Sequence, residues 1–267
     1  MSLVTYQTIK VRFQASVCYI TFHRPEANNT INDTLIEECL QVLNQCETST
    51  VTVVVLEGLP EVFCFGADFQ EIYQEMKRGR KQASSQEPLY DLWMKLQTGP
   101  YVTISHVRGK VNAGGLGFVS ATDIAIADQT ASFSLSELLF GLYPACVLPF
   151  LIRRIGRQKA HYMTLMTKPI SVQEASEWGL IDAFDAESDV LLRKHLLRLR
   201  RLNKKGIAHY KQFMSSLDHQ VSRAKATALT ANQDMFSDPQ NQMGIIRYVE
   251  TGQFPWEDQE GHHHHHH

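Results

Sequence analysis

Val51 to Leu56 (VTVVVL) is the most restrictive stretch of this chain. A continuous β-branched run has no polar face, so it reads as a strand covered on both sides, as in a parallel sheet flanked by helices. The neighbouring segments fit that arrangement. Val17 to Phe22 (VCYITF) is β-rich and is stopped by proline in His23-Arg24-Pro25. Asn32 or Asp33 can cap a helix through Glu47, whose apolar positions Leu35, Cys39, Val42, Leu43 and Cys46 follow helical spacing. Tyr101–Val107 and Asp123–Ala127 read as strands, and Leu89–Gln97 as a helix. Lys77–Pro88 is polar and reads as a mobile surface segment.

From Ala145 onward the pattern turns mostly helical. Ser171-Val172-Gln173-Glu174 is a capping box, and Gly179 ends that helix. Leu191–Leu202, Asn203–Ser215 and Asp218–Met235 read as further helices, and Asp238-Pro239 starts a last one. The fold class is therefore α/β. Residues 1–200 form the core that holds the chemistry, and 201–258 form a helical region that packs on it or on a neighbouring subunit. Residues 259–267 read as an expression tag, which accounts for half of the 12 histidines.

The net charge of −2 supplies no basic field for nucleic acid. Arg193, Lys194, Arg198, Arg200, Arg201, Lys204 and Lys205 read as a solvated helix face. No apolar run is long enough to span a membrane. The five cysteines, Cys18, Cys39, Cys46, Cys64 and Cys146, are odd in number and lack metal spacing. They read as small core residues in a reducing cytoplasm.

Two glycine-bearing turns carry the candidate chemistry. Each follows an expected strand and leads into an expected helix. In Phe63-Cys64-Phe65-Gly66-Ala67-Asp68, Gly66 permits a tight bend and Ala67 presents its N–H at a helix start. In Val111-Asn112-Ala113-Gly114-Gly115 the glycines do the same. Free N–H groups at helix starts carry partial positive charge, and two of them on one oxygen make an oxyanion hole. Glu137 sits in the apolar stretch Ser134–Gly141, where desolvation should raise its pKa toward general acid/base use. Alone, each turn could be a plain connection, and Glu137 a surface or ion-paired carboxylate.

Together, FCFGADFQEI, GKVNAGGLGF, Ser136-Glu137 and Gly141-Leu142-Tyr143-Pro144 resemble the crotonase (enoyl-CoA hydratase/isomerase) superfamily, and HRPEANNTIN looks like that family's segment after its first strand. The resemblance implies a ClpP-like spiral of ββα units with a C-terminal helical trimerisation region. It implies an acyl-thioester enzyme with no metal or other cofactor, assembled as a homotrimer or hexamer. It places the oxyanion donors at Ala67 and Gly114 and a catalytic carboxylate at Glu137. The family's other hydratase glutamate would fall at Gly117, so that pair is broken. Asp68 either acts in the site or only caps the next helix.

A finer resemblance, in FCFGADFQEIY with KVNAGGLGFVSATDIAIAD, is to the dehydratases of polyketide β-branching cassettes of the bacillaene type. It implies a 3-hydroxy-3-methylglutaryl substrate on the phosphopantetheine of an acyl carrier protein. Phe65 and Gly66 would border the thioester-arm cleft, and the Phe65 ring would crowd an adenine or else pack into the core or out toward a neighbour. A donor for the distal carboxylate is expected among Asn112, Tyr73, Tyr90, Tyr143 and Lys110, with Asn112 foremost unless it bonds the backbone of its own turn.

Overall fold

The computed structural model describes residues 4–80 and 83–257. The expected tag and Met1 to Leu3 lie outside the described residues. Among the described residues ten strands form two sheets. Six strands, β1 (Ile9–Gln14), β2 (Val17–Phe22), β3 (Val53–Glu57), β5 (Val102–Val107), β7 (Ile124–Ala127) and β10 (Ala183–Phe184), lie in that spatial order. Only β1 and β2 pair antiparallel; the rest of this sheet is parallel. Val53, Val54, Val55 and Leu56 are all buried, as their uniform apolar character requires of a strand covered on both faces.

The second sheet has the order β4 (Val62–Cys64), β6 (Lys110–Asn112), β8 (Ser132–Ser134) and β9 (Ile170–Ser171), with β4, β6 and β8 parallel. Strands β3, β5 and β7 of the large sheet are each followed at once by a short strand of the small sheet. The chain then turns into helices, α2 (Phe69–Lys77) and α3 (Glu87–Thr98) after β4, and α4 (Gly115–Ala121) after β6. This repeated strand–strand–helix path is the expected α/β architecture. The short strands β4 and β6 were expected only as parts of turns. Three residues are too few for a period of two to show in the sequence.

Helix α1 (Asp33–Thr48) is capped as expected: the Asn32 side chain accepts from the Leu35 amide. All five cysteines are buried and unpaired by disulfides. The helical half comprises α5 (Leu148–Ile155), α6 (Arg157–Met166), α7 (Val172–Glu177), α8 (Ser188–Leu199), α9 (Lys204–Leu217), α10 (Gln220–Ser237) and α11 (Pro239–Thr251). The basic stretch is exposed, except that Lys204 bends inward and donates to the carbonyls of Cys46, Ser49 and Val51 at the end of α1. Among the described residues no helix is long and apolar enough to cross a membrane.

Candidate active site

The small sheet positions the site. Strands β4, β6 and β8 run side by side in parallel, so the loops leaving their carboxyl ends are neighbours, about 4.8 Å apart per strand. The loop after β4 carries Phe65, Gly66, Ala67 and Asp68. The loop after β6 carries Ala113 and Gly114. The loop after β8 leads into a short 3-10 helix, Glu137–Phe140. Three stretches far apart in sequence are thus brought to one end of one sheet.

The first two loops are packed against each other at glycine. Gly66 has φ +82°, and a methyl group on it would stand 2.7 Å from Ala113 Cβ and 3.3 Å from the Gly114 nitrogen. The Ala67 turn is pinned from the other side. Ile31 donates to the Gly66 carbonyl at 2.7 Å and accepts from the Asp68 amide at 3.3 Å. Backbone groups alternate in direction along an extended segment, so the Ala67 N–H faces away from Ile31. Neither the Ala67 nor the Gly114 amide has an acceptor among the described residues. Ala113 is held at φ +53°, which costs an alanine roughly 1–2 kcal/mol. Its amide bond to the Ser134 carbonyl, 3.0 Å, ties this strained turn to β8.

Ala67, Gly114 and Glu137 line one cavity of about 1000 Å³, together with Phe65, Asp68 and Asn112. Gly66 does not line it; it forms the contact behind the two donors. The Glu137 Oε1 is buried with no hydrogen-bond partner among the described residues. Burial pushes the Glu137 carboxyl up to about 7, against a small opposing effect of its own backbone amide. A structural ion pair would leave this group with a cation, and among the described residues no such pair involves Glu137.

Asp68 caps α2 by accepting from the Glu71 amide at 3.1 Å, and it also pairs with Arg24 at 3.0 Å, both side chains largely buried. It is therefore a fixed, neutralised part of the wall. Asn112 does not bond its own turn: its amide donates to Ser136 Oγ and accepts from Ser134 Oγ, each at 2.9 Å. It thereby ties β6 to the loop that carries Glu137.

Of the other expected carboxylate donors, only Tyr143 lines the cavity. Tyr73 donates to Glu250 and Tyr90 to the Val221 carbonyl, both turned from the cavity, and Lys110 is exposed outside it. Phe65 is half-buried on the cavity wall rather than in the core. The polar segment after α2 borders the cavity through Arg80, Ala83, Ser84 and Gln86, so it is more than a surface connection. Asp33, Glu71 and Glu75 place carboxylate oxygens within 4.8 Å of one another on the same wall, and burial, joined by this crowding, raises the Glu71 pKa.

Two features escaped the sequence. Phe69 on α2, Phe140 on the 3-10 helix and Tyr248 on α11 pack edge-to-face, Phe254 beyond α11 lies tilted against the last two, and all four line the cavity. At Gly117 a Cβ would stand 2.2 Å from the Trp93 ring, which occupies that space and also lines the cavity. A glycine inside a helix, costly by about 1 kcal/mol, was the available signal of a close approach there.

Residues 12–259 match the profile of the enoyl-CoA hydratase/isomerase family. Over 179 residues the chain is 31% identical to enoyl-CoA hydratase AKT6-1 of Alternaria alternata, covering 67% of this chain and 58% of that protein. It is 29% identical to hydroxycinnamoyl-CoA hydratase-lyase of Pseudomonas fluorescens over 187 residues, 66% of each chain. The matches thus span less than two thirds of these relatives' lengths. The crystal structure of an enoyl-CoA hydratase from Mycobacterium avium superposes with a TM-score of 0.79 at 24% identity, covering 94% of this chain and 100% of that one. At that identity the likeness shows the fold.

Proposed function

The chain belongs to the enoyl-CoA hydratase/isomerase family, and from that premise we propose that it is a hydro-lyase acting on a 3-hydroxyacyl thioester. The observation that carries this reading is the pairing of two unengaged amides, at Ala67 and Gly114, with the Glu137 carboxyl, whose Oε1 is buried without a partner among the described residues, around a single cavity. The thioester oxygen accepts from both amides. Glu137, as the carboxylate, takes the proton from C2, and charge collects on that oxygen. Removing one such donor typically costs about 2.7–4 kcal/mol of transition-state stabilisation. As the C2=C3 bond forms and the C3–O bond breaks, Glu137 returns the proton to the departing hydroxyl and water leaves. A carboxyl poised near 7 serves both transfers at neutral pH.

The substrate proposed is the 3-hydroxy-3-methylglutaryl thioester of an acyl carrier protein, and the product is the 3-methylglutaconyl thioester. Phe65 supports a carrier protein over coenzyme A. Its ring lines the cavity, and the reading is that such a ring crowds an adenine, whereas a carrier's phosphopantetheine has no adenine to place. Asn112, fixed by two serines and facing the cavity, is the proposed partner of the distal carboxylate. A homotrimer or hexamer is proposed on the exposed apolar face of α9, where Tyr210, Phe213 and Leu217 are each about 60% exposed.

A site with one carboxylate also suits movement of a double bond along the acyl chain, and enoyl-CoA isomerisation is the competing reading. The test is incubation with 3-hydroxy-3-methylglutaryl carrier protein, followed by intact mass. Loss of one water is expected. An unchanged mass alongside rapid isomerisation of a 3-enoyl-CoA would replace the dehydratase with an isomerase. A chain inert in both assays would be a partner protein on an enzyme fold, against which the unpaired, buried carboxyl of Glu137 speaks.

A further inference from the structure

We propose that the indole N–H of Trp93 holds the C3 oxygen of the substrate as it leaves, opposite Glu137. The inference rests on the dehydration reading above. Trp93 lies on α3, and its Nε1 is a buried donor with no partner among the described residues. Buried donors are rarely left so, and one that borders a cavity marks where an acceptor belongs. Trp93 lines the same cavity as Gly114 and Glu137.

Its placement follows from Gly117. The six-membered ring lies over that glycine: Cζ2, Cη2 and Cε2, the last bonded to Nε1, stand 2.2, 2.3 and 2.5 Å from where a Cβ would be. Gly117 is three residues beyond Gly114 on α4, about 4.5 Å along the helix and on nearly the same face. The indole N–H is therefore about one helical turn from the donor to the thioester oxygen. That matches the span of a substrate whose C3 is two bonds from its carbonyl carbon. The ring is held edge-to-face by Phe118, centroids 5.9 Å apart, and by Phe150, 5.6 Å. The ring is thus held in place by its neighbours and need not be ordered on binding.

The chemistry is complementary. An indole N–H donates and does not ionise in this range, so it cannot supply the proton that makes hydroxide into water. Glu137 Oε1, also unpartnered, can. One oxygen between them accepts from Trp93 while it receives the C2-derived proton from Glu137. The C3–O electron pair goes to that oxygen, the C2–H pair becomes the C2=C3 bond, and one water departs. Nothing further is consumed.

Two measurements test this. Trp93→Phe keeps an aromatic ring and removes the donor. The rate of water loss should fall about tenfold, the effect of one neutral hydrogen bond made in the transition state. Exchange of the C2 proton with D₂O in 3-methylglutaryl-pantetheine, which has no hydroxyl, should be unchanged. Equal losses in both reactions, or none in either, would overturn the assignment.

The second measurement keeps Trp93 intact. In ¹⁵N-labelled Glu137→Gln protein, the Trp93 indole signal, one of three tryptophans, should move with 3-hydroxy-3-methylglutaryl-pantetheine and not with 3-methylglutaryl-pantetheine. Identical movement with both ligands, or with neither, would refute the donor. If the wild type released no water yet the signal answered only to the hydroxylated ligand, the dehydration reading would fall and the donor would stand.

Discussion

Replacing Glu137 by glutamine should make this protein more stable above neutral pH while disabling it. Burial lifts the Glu137 carboxyl from 4.5 to about 7. The folded state then binds the proton more tightly than the unfolded chain. Below pH 4.5 both states are protonated and the group is indifferent. Between 4.5 and 7 the unfolded chain ionises first, so stability falls as pH rises, and above 7 the penalty is complete. A displacement of this size corresponds to about 3 kcal/mol. Glutamine has a similar shape and no charge, so it removes the penalty and nothing else. At fixed protomer concentration the variant should unfold roughly 5–10 °C above the wild type at pH 8. At pH 5, where only about a quarter of the penalty has developed, the gap should shrink to roughly 2 °C. Turnover should fall by about 10²–10⁴-fold, the range for a general acid or base. Scanning calorimetry at both pH values with parallel turnover measurements checks both halves. Equal melting temperatures at pH 8 would refute the desolvated carboxyl, and near-wild-type turnover would remove Glu137 from the mechanism.

The same group fixes a pH profile: if Glu137 begins each cycle as the carboxylate, turnover at saturating substrate should rise tenfold per unit below about 7 and level above it. A profile flat from pH 5 to 9 would point to another base. Phe65→Ala should raise use of the coenzyme A thioester relative to the carrier-protein thioester, read as the ratio of the two kcat/KM values. An unchanged ratio would discard the crowding argument for Phe65. Gly117→Ala sets two effects against each other. Helix propensity favours alanine by about 1 kcal/mol, but the added Cβ falls 2.2 Å from the Trp93 ring and overpacking of this kind costs about 1–3 kcal/mol. Net destabilisation in urea and reduced turnover are expected, and a more stable variant would show that the Trp93 ring is free to move.

Elements with a strong local signature were legible in the sequence. The Val51–Leu56 run, the Asn32 cap and the Ser171–Glu174 capping box each draw on interactions within a few residues, and each is found as expected. The short strands β4, β6 and β8 were not, because three-residue strands carry no period and owe their existence to pairing with each other. The same reason hid the convergence of the site. That Gly66, Gly114 and Glu137 were candidates could be read from residue type, motif order and the family resemblance; that their loops meet follows from a sheet whose strands look like turns. Trp93 was hidden more deeply, since an apolar residue at helical spacing on α3 has the signature of any core position.

The placement of glycine explains why the donors can be so exposed without loss of order. An amide left unpaired in a flexible loop would find water or a carbonyl of its own. Here the Ala67 turn is clamped on one side by Ile31, through bonds to Gly66 and Asp68, and on the other by the contact of Gly66 with the Ala113–Gly114 turn. The second turn is fixed in its turn by the bond from Ala113 to β8. The Gly66 and Ala113 carbonyls and the Phe65, Asp68 and Ala113 amides beside them are engaged, and among the described residues the Ala67 and Gly114 amides are not. Such an arrangement spends roughly 1–2 kcal/mol on the left-handed Ala113, and it gains donors that need no reorganisation when charge arrives. A methyl group at Gly66, at 2.7 Å from Ala113 Cβ and at φ +82°, would strain both turns at once. Gly66→Ala should therefore lose turnover well beyond its loss of stability. Proportionate losses in the two would mean that the turns adjust freely, and a preformed pair of donors would no longer account for the site.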